Sequence, residues 1–190
     1  HGDLMTLFGY GLFYLVAAGV WFPVAAVAAI GFAGICALLM ERIAFRPLRG
    51  RSPMTLLITS FAISGALHVA FQIFISPKPR PIPIPDALSG YLTVGGVFIS
   101  RAQVFAIVIA VACLLLLNVF LARTRMGVAL RASAADFDIA RVMGIRANQV
   151  IALAFFVSGV LAGVAALLWI SQRGAVFPTL GLTPMIKALI

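Results

Sequence analysis

Five long stretches without a charged side chain constrain this sequence more than any other feature. A helix needs about 17–25 apolar residues to cross a hydrocarbon layer of ~30 Å. The stretches that meet this requirement are residues 4–22, 24–40, 54–75, 104–122 and 150–170. The composition agrees, because 63% of the residues are hydrophobic and only 10% are charged, whereas a soluble domain has about 25% charged residues. The sequence therefore predicts an all-α polytopic integral membrane protein with five full transmembrane helices and a truncated sixth apolar segment from Met185.

Pro23 separates the first two stretches, which are otherwise continuous. A proline removes a backbone donor and disfavours helix in the residue before it, so we expect a tight turn next to Trp21. The alternative is one kinked helix over residues 4–40, but at 1.5 Å per residue it would extend about 55 Å, well beyond one bilayer. Two separate spans are therefore predicted.

The arginines and lysines are divided unequally among the loops. Residues 41–53 and 123–149 carry nine of them, and residues 76–103 carry three. Because basic residues concentrate in cytoplasmic loops, the first two segments are predicted to be cytoplasmic and residues 76–103 to form an external loop. Trp21 and Trp169 then fall at the outer ends of their helices, where indole rings favour the headgroup layer. Topology thus explains the net charge of +9, and nucleic acid is not a predicted partner.

The external loop has two patterned halves. Prolines alternate with other residues over 76–85, which favours an extended, polyproline-like chain. Short β-prone arms at 92–94 and 97–99 flank Gly95 and Gly96. This pattern is typical of a β-hairpin, because tight primed turns need positive φ. The two halves predict a small external cap, with an irregular loop that has no binding role as the alternative.

The cytoplasmic segment 123–149 contains a predicted short helix. Ser133 and Asp136 have the spacing of a capping box, which starts a helix by pairing each side chain with a backbone N–H. Gly144 offers the left-handed residue that ends helices, so the helix is predicted to be about ten residues long. Its apolar residues fall on one face at helical spacing, namely Ala135, Ile139, Val142 and Met143. Such a face needs cover, either from a partner protein or from the inner headgroup layer and the chain's own domain.

Polar residues recur every four positions in the third stretch, at Ser60, Ser64, His68 and Gln72. They share one helix face, and polar groups at membrane depth normally face protein or water. This polar stripe is the predicted lining of a transport pathway, with interhelical hydrogen bonding as the alternative. His68 as a proton carrier is a lesser hypothesis, because none of the five stretches contains a partner carboxylate.

Small residues in the fifth stretch indicate helix packing. Gly159 and Gly163 are four residues apart, a spacing that allows two helix backbones to approach closely. After residue 170, closely spaced glycines and prolines such as Pro178 and Pro184 predict a broken or re-entrant segment. Lys187 in that segment can meet a substrate carboxylate or a headgroup phosphate, and the sequence does not choose between them.

The inventory of polar side chains excludes most catalytic chemistry. The chain has five carboxylates and two histidines, and Cys36 and Cys113 lie in apolar runs without metal-ligand spacing. Neither a metal site nor a catalytic site is predicted. Its two lysines are followed by proline and alanine, so the sequence contains no G-x-x-x-x-G-K-[ST] phosphate loop. The energy for transport has to come from a partner or a gradient.

Several segments of the sequence resemble one protein family. Residues 131–149, RASAADFDIARVMGIRANQ, resemble the coupling-helix loop of ATP-binding-cassette importer permeases. Segments 1–7 (HGDLMTL), 41–50 (ERIAFRPLRG), 158–163 (SGVLAG) and 181–188 are similar to the branched-chain amino acid permeases of the LivH type. The resemblance covers essentially the whole chain in order. Relative to the family, the first span and the last two or three are expected to be missing, so residues 1–190 would form one partial permease domain.

The resemblance implies a permease subunit of an ATP-binding-cassette importer in the bacterial inner membrane, with branched-chain or other hydrophobic amino acids as cargo. The implied partners are two cytoplasmic ATPases that hold ATP and magnesium, a second homologous permease, a periplasmic substrate-binding protein and membrane lipid. The chain itself would hold no cofactor. The residues implied in ATPase coupling are Ser133, Asp136, Ile139, Val142, Met143 and Gly144. Urea or short amides are an alternative cargo, and an ion-coupled secondary transporter or channel is the alternative from another class.

Overall fold

The computed structural model describes residues 2–48, 52–75, 78–82, 90–94, 97–176 and 180. Its α-helices are α1 (Gly2–Ala17), α2 (Phe22–Met40), α3 (Pro53–Phe74), α4 (Arg101–Arg123), α5 (Arg125–Ala135), α6 (Phe137–Val142) and α7 (Ala147–Arg173). Its strands are β1 (Arg80–Pro81), β2 (Tyr91–Val94), β3 (Val97–Ser100) and β4 (Ala175–Val176). A π-helical turn (Glu41–Phe45) and a 3-10 turn (Arg46–Leu48) continue directly from α2.

Four helical segments in the described ranges are long and apolar enough to cross a membrane. They are Phe22–Leu48, Met54–Phe74, Arg101–Arg123 and Asn148–Arg173. They correspond to four of the five apolar stretches, so the prediction of a polytopic helical membrane protein is confirmed. The first stretch is different, because α1 has only 16 residues. That is about 24 Å of helix, less than the hydrocarbon layer of ~30 Å, so four of the five predicted spans have full length in the described residues.

Gly19 ends α1 earlier than predicted. Its φ of +82° is left-handed, and its N–H donates to the Val16 carbonyl oxygen at 2.9 Å. The N–H of Val20 donates to the Leu15 carbonyl oxygen at 3.1 Å, which completes a Schellman ending. A turn between the first two helices is therefore confirmed, but Pro23 does not break α1. Pro23 lies in the first turn of α2, where its missing N–H costs no helical hydrogen bond.

The chain divides into two compact units. The first comprises His1–Asp86 and Phe156–Ile190, and the second comprises Ala87–Phe155. In the first unit, α1 packs against α2 and α3. Its buried core combines large side chains of α1 with small side chains of α2, among them Phe8, Leu12, Ala25, Ala29, Ala33 and Ala37. Because the alanines recur every four residues, one face of α2 lets a neighbouring helix approach closely.

The glycines of α7 lie where this helix meets α2. A Cβ on Gly159 would be 2.6 Å from the Ala37 Cβ and 2.9 Å from the Ala33 carbonyl oxygen. A Cβ on Gly163 would be 3.3 Å from the Ile30 Cα. The two backbones are therefore in the close contact that the spacing of Gly159 and Gly163 predicts.

The proline-rich segment makes a strand pairing that the sequence does not predict. Arg80 and Pro81 pair antiparallel with Val176 and Ala175, the residues that follow α7. The Ile82 N–H extends the pairing by donating to the Gly174 carbonyl oxygen at 2.9 Å. Val176 is fully buried, and its side chain lies against Gly9 of α1. The described part of the proline-rich segment is thus extended, as predicted, and is held against the end of α7.

The second unit begins with the predicted hairpin. Strands β2 and β3 pair antiparallel, with Tyr91 opposite Ser100 and Val94 opposite Val97. The hairpin is therefore confirmed, whereas its turn at Gly95 and Gly96 lies outside the described residues. The chain passes directly from β3 into α4 and then into α5, α6 and the first turns of α7.

The predicted broken segment after α7 falls almost entirely outside the described residues. The structure describes residues 174–176 and Leu180, which is fully buried. Pro178, Pro184, Lys187 and the sixth apolar segment from Met185 are not among the described residues. Their predicted roles therefore stay predictions.

Candidate functional site

The segment between α4 and α7 forms two helices, and the first of them was not predicted. Helix α5 begins at Thr124, whose Oγ1 accepts a hydrogen bond from the Gly127 N–H at 2.9 Å. The same hydroxyl donates to the Phe120 carbonyl oxygen at 2.7 Å, so it joins the end of α4 to the start of α5. At Gly127 a Cβ would collide with the Phe120 carbonyl oxygen. This glycine therefore permits the tight fold between the two helices.

Asp136, rather than Ser133, starts the short helix α6. The Asp136 backbone is extended, with φ −153° and ψ 113°, and its Oδ1 accepts a hydrogen bond from the Ile139 N–H at 3.0 Å. Ser133 lies in the last turn of α5, so the predicted capping box is wrong. Aspartate caps a helix as well as serine does, and its charge also suits the positive end of the helix dipole. As a result α6 has six residues instead of about ten.

Gly144 terminates α6, as predicted. Its φ of +84° is left-handed, and the Ile145 N–H donates to the Ala140 carbonyl oxygen at 3.1 Å. This bond satisfies a carbonyl that would otherwise lack a partner at the helix end. Asp136 and Gly144 therefore fix the two ends of α6 within eight residues of each other.

Three apolar side chains in α6 and directly after it are exposed. Ile139 is 63% exposed, Val142 88% and Met143 78%, and Ala135 at the end of α5 is exposed as well. Ala140, on a neighbouring side of the helix, is buried. We call Ile139, Val142 and Met143 the α6 apolar face. Nothing in the described parts of the chain covers it, which is unusual for three adjacent large apolar side chains outside the predicted spans.

The polar stripe of α3 is divided between surface and interior. Ser60 and Gln72 are exposed, whereas Ser64 and His68 are half-buried. The four residues do share one face of α3, as their spacing predicts. Whether they line a pathway stays a prediction.

His68 has a carboxylate partner, contrary to the sequence interpretation. Its Nε2 lies 3.6 Å from Oδ1 of Asp3, and Asp3 is only 8% exposed. Asp3 precedes the first apolar stretch, so a search limited to the stretches omits it. In the structure α1 begins at Gly2, and its first turn meets α3 about 9 Å before the end of that helix. Asp3 is thus a candidate functional residue that the sequence analysis missed.

Tyr10 is a second residue that the sequence analysis missed. Its ring lies 5.6 Å from the ring of Phe71, centroid to centroid. The residue is 3% exposed, and its hydroxyl has no hydrogen-bond partner among the residues described. Asp3 contacts His68, and Tyr10 contacts Phe71. We call these two residues of α1 and two residues of α3 the α1–α3 seam.

Arg80 stands beside the same part of α1. Its guanidinium carbon lies 5.8 Å from the centroid of the Phe13 ring, a cation–π distance. In the described part of the chain no three His, Cys, Asp or Glu side chains form a group that could hold a metal ion.

Comparison with known proteins gives a consistent result. Residues 1–190 match the family model described as branched-chain amino acid transport system / permease component. The chain is 36% identical over 152 residues to the high-affinity branched-chain amino acid transport system permease protein BraD of Pseudomonas aeruginosa, covering 78% of this chain and 50% of BraD. It is 30% identical over 202 residues to the high-affinity branched-chain amino acid transport system permease protein LivH of Escherichia coli. This match covers 99% of this chain and 65% of LivH. The chain thus spans between half and two thirds of the length of these relatives. No solved structure matches it.

Proposed function

Because this chain belongs to the permease component family of branched-chain amino acid transport systems, we propose that it is a permease subunit of an ATP-binding-cassette importer in the bacterial inner membrane. The cargo is a branched-chain or other hydrophobic amino acid, moved into the cytoplasm. The names of BraD and LivH support this cargo, since both are described as high-affinity branched-chain amino acid permease proteins. The four long apolar helices support the membrane location.

The α6 apolar face is the observation that carries the coupling part of this proposal. Three large apolar side chains stand exposed on a short helix, and both ends of that helix are fixed by Asp136 and Gly144. A groove on a partner protein can bind such a helix through its apolar face. The partner is a cytoplasmic ATPase that holds ATP and magnesium, present in two copies, one for this permease and one for a second homologous permease. A periplasmic binding protein delivers the amino acid from outside.

The connections of α6 explain how an ATPase would act on the membrane helices. On one side α6 follows α5, which Thr124 ties to α4. On the other side only residues 143–146 separate α6 from α7. All these elements up to Phe155 belong to one compact unit. A displacement of α6 by ATP-driven closure of the ATPases therefore reaches two membrane helices at once and biases them between inward-open and outward-open packings.

Two other functions remain in competition. Urea or short amides would use the same machinery, and nothing in this chain separates them from amino acids. One specific observation supports ion-coupled transport: the buried Asp3 and the half-buried His68 lie 3.6 Å apart, and intramembrane ionisable pairs occur in proton relays. Family membership ranks ATP-driven import first.

The coupling experiment uses the full-length permease, co-expressed with its ATPase. We expect Ile139→Glu or Val142→Glu to weaken ATPase binding by about thirtyfold or more, the usual effect of losing a central interface residue. The matched control is Met126→Glu, which alters an exposed apolar residue of α5 and should leave binding unchanged. Co-purification of the ATPase at the same yield with both α6 variants would remove the coupling role.

The energy source is tested in proteoliposomes that hold the whole transporter and its binding protein. We expect uptake of L-leucine to require ATP on the cytoplasmic side and to continue without a proton or sodium gradient. Uptake that follows an ion gradient and ignores ATP would favour the ion-coupled alternative instead.

A further inference from the structure

We propose that the α1–α3 seam binds the charged end of an amino acid, with the Asp3 carboxylate accepting from the α-ammonium group and the Tyr10 hydroxyl donating to the carboxylate. The class of ligand rests on the proposed function, whereas the site itself rests on contacts in the first unit. The site includes His68 and Phe71 on α3, which stand next to Asp3 and Tyr10.

The Asp3 carboxylate has unused hydrogen-bonding capacity. An ionised carboxylate offers about four acceptor positions, and in the described ranges its only polar side-chain contact is His68 Nε2 at 3.6 Å. That distance exceeds the ~3.2 Å limit of an ordinary N–H···O bond. A buried carboxylate is strongly unfavourable unless it is paired or hydrogen-bonded. An ammonium group that enters the seam would supply both a charge and three donors.

The Tyr10 hydroxyl is a hydrogen-bond donor that also has unused capacity. Tyrosine hydroxyls that are buried normally have a partner, yet this one has none among the described residues although the side chain is 97% buried. Its ring is held in place by Phe71. A ligand carboxylate would accept a hydrogen bond from it and satisfy this donor.

The spacing of Asp3 and Tyr10 suits an α-amino acid. Seven residues are nearly two helical turns, so the two side chains share a face of α1, about 10 Å apart along its axis. The N–Cα–C–O atoms of an amino acid span about 3 Å, and a charge-assisted hydrogen bond adds about 2.8 Å at each end. The ligand therefore connects two protein oxygens about 8–9 Å apart, which is close to the axial spacing of residues 3 and 10 on α1.

The charges along the seam are complementary to those of the ligand. Asp3 supplies a negative charge at one end, and at the other end Arg80 lies over the ring of Phe13, three residues beyond Tyr10 in α1. In the part of the chain that the structure describes, no carboxylate lies within ion-pair distance of Arg80. The ligand carboxylate therefore points toward Arg80 and the ammonium toward Asp3. His68 keeps 20% of its side chain exposed, and we place the approach of the ligand on this side. Phe71 provides an apolar wall for the ligand side chain.

The test uses the complete transporter without its binding protein, so that any affinity measured belongs to the permease. Equilibrium binding is measured for L-leucine, for 4-methylpentanoate, which lacks the ammonium group, and for leucinol, which lacks the carboxylate. The wild-type protein should prefer L-leucine to both analogues by about tenfold to a hundredfold, as expected for a hydrogen bond to a charged group.

The variants identify which side chain makes each contact. Asp3→Asn should reduce the preference for L-leucine over 4-methylpentanoate while keeping the preference over leucinol. Tyr10→Phe should reduce the preference for L-leucine over leucinol while keeping the preference over 4-methylpentanoate. Tyr14→Phe is the matched control, because Tyr14 lies one turn further along α1 and is half exposed; it should change neither preference. A ratio of affinities is unaffected by the fraction of protein that folds.

Each outcome decides between the site and the importer. If Asp3→Asn weakens all three compounds equally, or leaves the ratios unchanged, the residue is structural and the site is overturned. The site is also overturned if the wild-type protein binds none of the compounds while the ATPase still co-purifies, and in that case the importer survives. If the ratios change as expected but the ATPase does not co-purify, the site stands and the importer fails.

Discussion

The α6 apolar face and the α1–α3 seam depart from the usual distribution of side chains in opposite directions. In residues 123–149, which are predicted to be cytoplasmic and so to meet water, Ile139, Val142 and Met143 are exposed apolar groups. In the seam, where hydrocarbon is expected, Asp3, His68 and Tyr10 are polar groups with few or no partners. Each arrangement is unfavourable in the isolated chain and becomes favourable when something else binds. The difference indicates what binds: an apolar groove of a protein at α6, and a small polar ligand at the seam.

The largest expected effect is on the free energy of unfolding, when a glutamate is introduced into each of the two regions in turn. Phe71→Glu buries a charge in the seam and should reduce the free energy of unfolding by at least about 3 kcal/mol. Val142→Glu adds the charge to an exposed position and should change it by no more than about 0.5 kcal/mol. Thermal unfolding of the full-length permease in detergent measures both. Equal losses would mean that the two regions are not as different as the structure indicates.

The contact between Asp3 and His68 should appear as an energetic coupling. Asp3→Asn and His68→Gln each remove one side of the pair, so the double variant should lose less stability than the two single losses together, by about 1–2 kcal/mol. Asp3→Asn combined with Ser133→Ala in the other unit should be additive within about 0.5 kcal/mol. Additive losses for Asp3 and His68 would indicate that the two side chains do not interact in the membrane.

Gly144→Ala tests the end of α6. With φ at +84°, an alanine there should reduce stability by about 1 kcal/mol and weaken ATPase binding, because the left-handed conformation disfavours a Cβ. The control is Gly31→Ala in α2, where a Cβ meets nothing within 4 Å. That change should be neutral or stabilising. A neutral Gly144→Ala would mean that the left-handed ending is not needed.

The smallest expected effect is on the local stability of α6, and it shows whether Asp136 or Ser133 caps this helix. Asp136→Ala should reduce the local stability of α6 by about 0.5–1 kcal/mol, because the Ile139 N–H loses its acceptor. Ser133→Ala should not change it, since Ser133 belongs to α5. Hydrogen exchange of the Ile139 amide measures the difference. Faster exchange in Ser133→Ala than in Asp136→Ala would restore the capping box that the sequence predicts.

The parts of the fold that the sequence predicts well depend on local patterns. Four membrane helices follow from length and hydropathy, and the β2–β3 hairpin follows from two β-prone arms around a glycine pair. The left-handed ending at Gly144 follows from residue type, because few other residues adopt that conformation. Each of these features is decided by residues that are neighbours in the chain.

The parts of the fold that the sequence does not predict have two causes. Either several residues could play the same local role, or the contact joins residues far apart in the chain. Thr124, Ser133 and Asp136 are all good helix caps, and their order alone does not show which of them starts a helix. The pairing of Arg80 with Val176 joins residues far apart in the chain and leaves no local pattern. Asp3 was omitted because a charged residue ends an apolar stretch by definition. The candidate ligand site therefore cannot be predicted from the sequence, because it depends on the packing of α1 against α3.

The most direct test of the account is the accessibility of α6 from each side of the membrane. In a full-length variant in which every native cysteine, Cys36 and Cys113 included, is replaced by alanine, Val142→Cys places a single thiol on the α6 apolar face. A membrane-impermeant maleimide should label this thiol in inside-out vesicles stripped of ATPase, and added ATPase should protect it. Labelling in spheroplasts, where only the outer side is accessible, would contradict the cytoplasmic position of α6 and its role in ATPase binding.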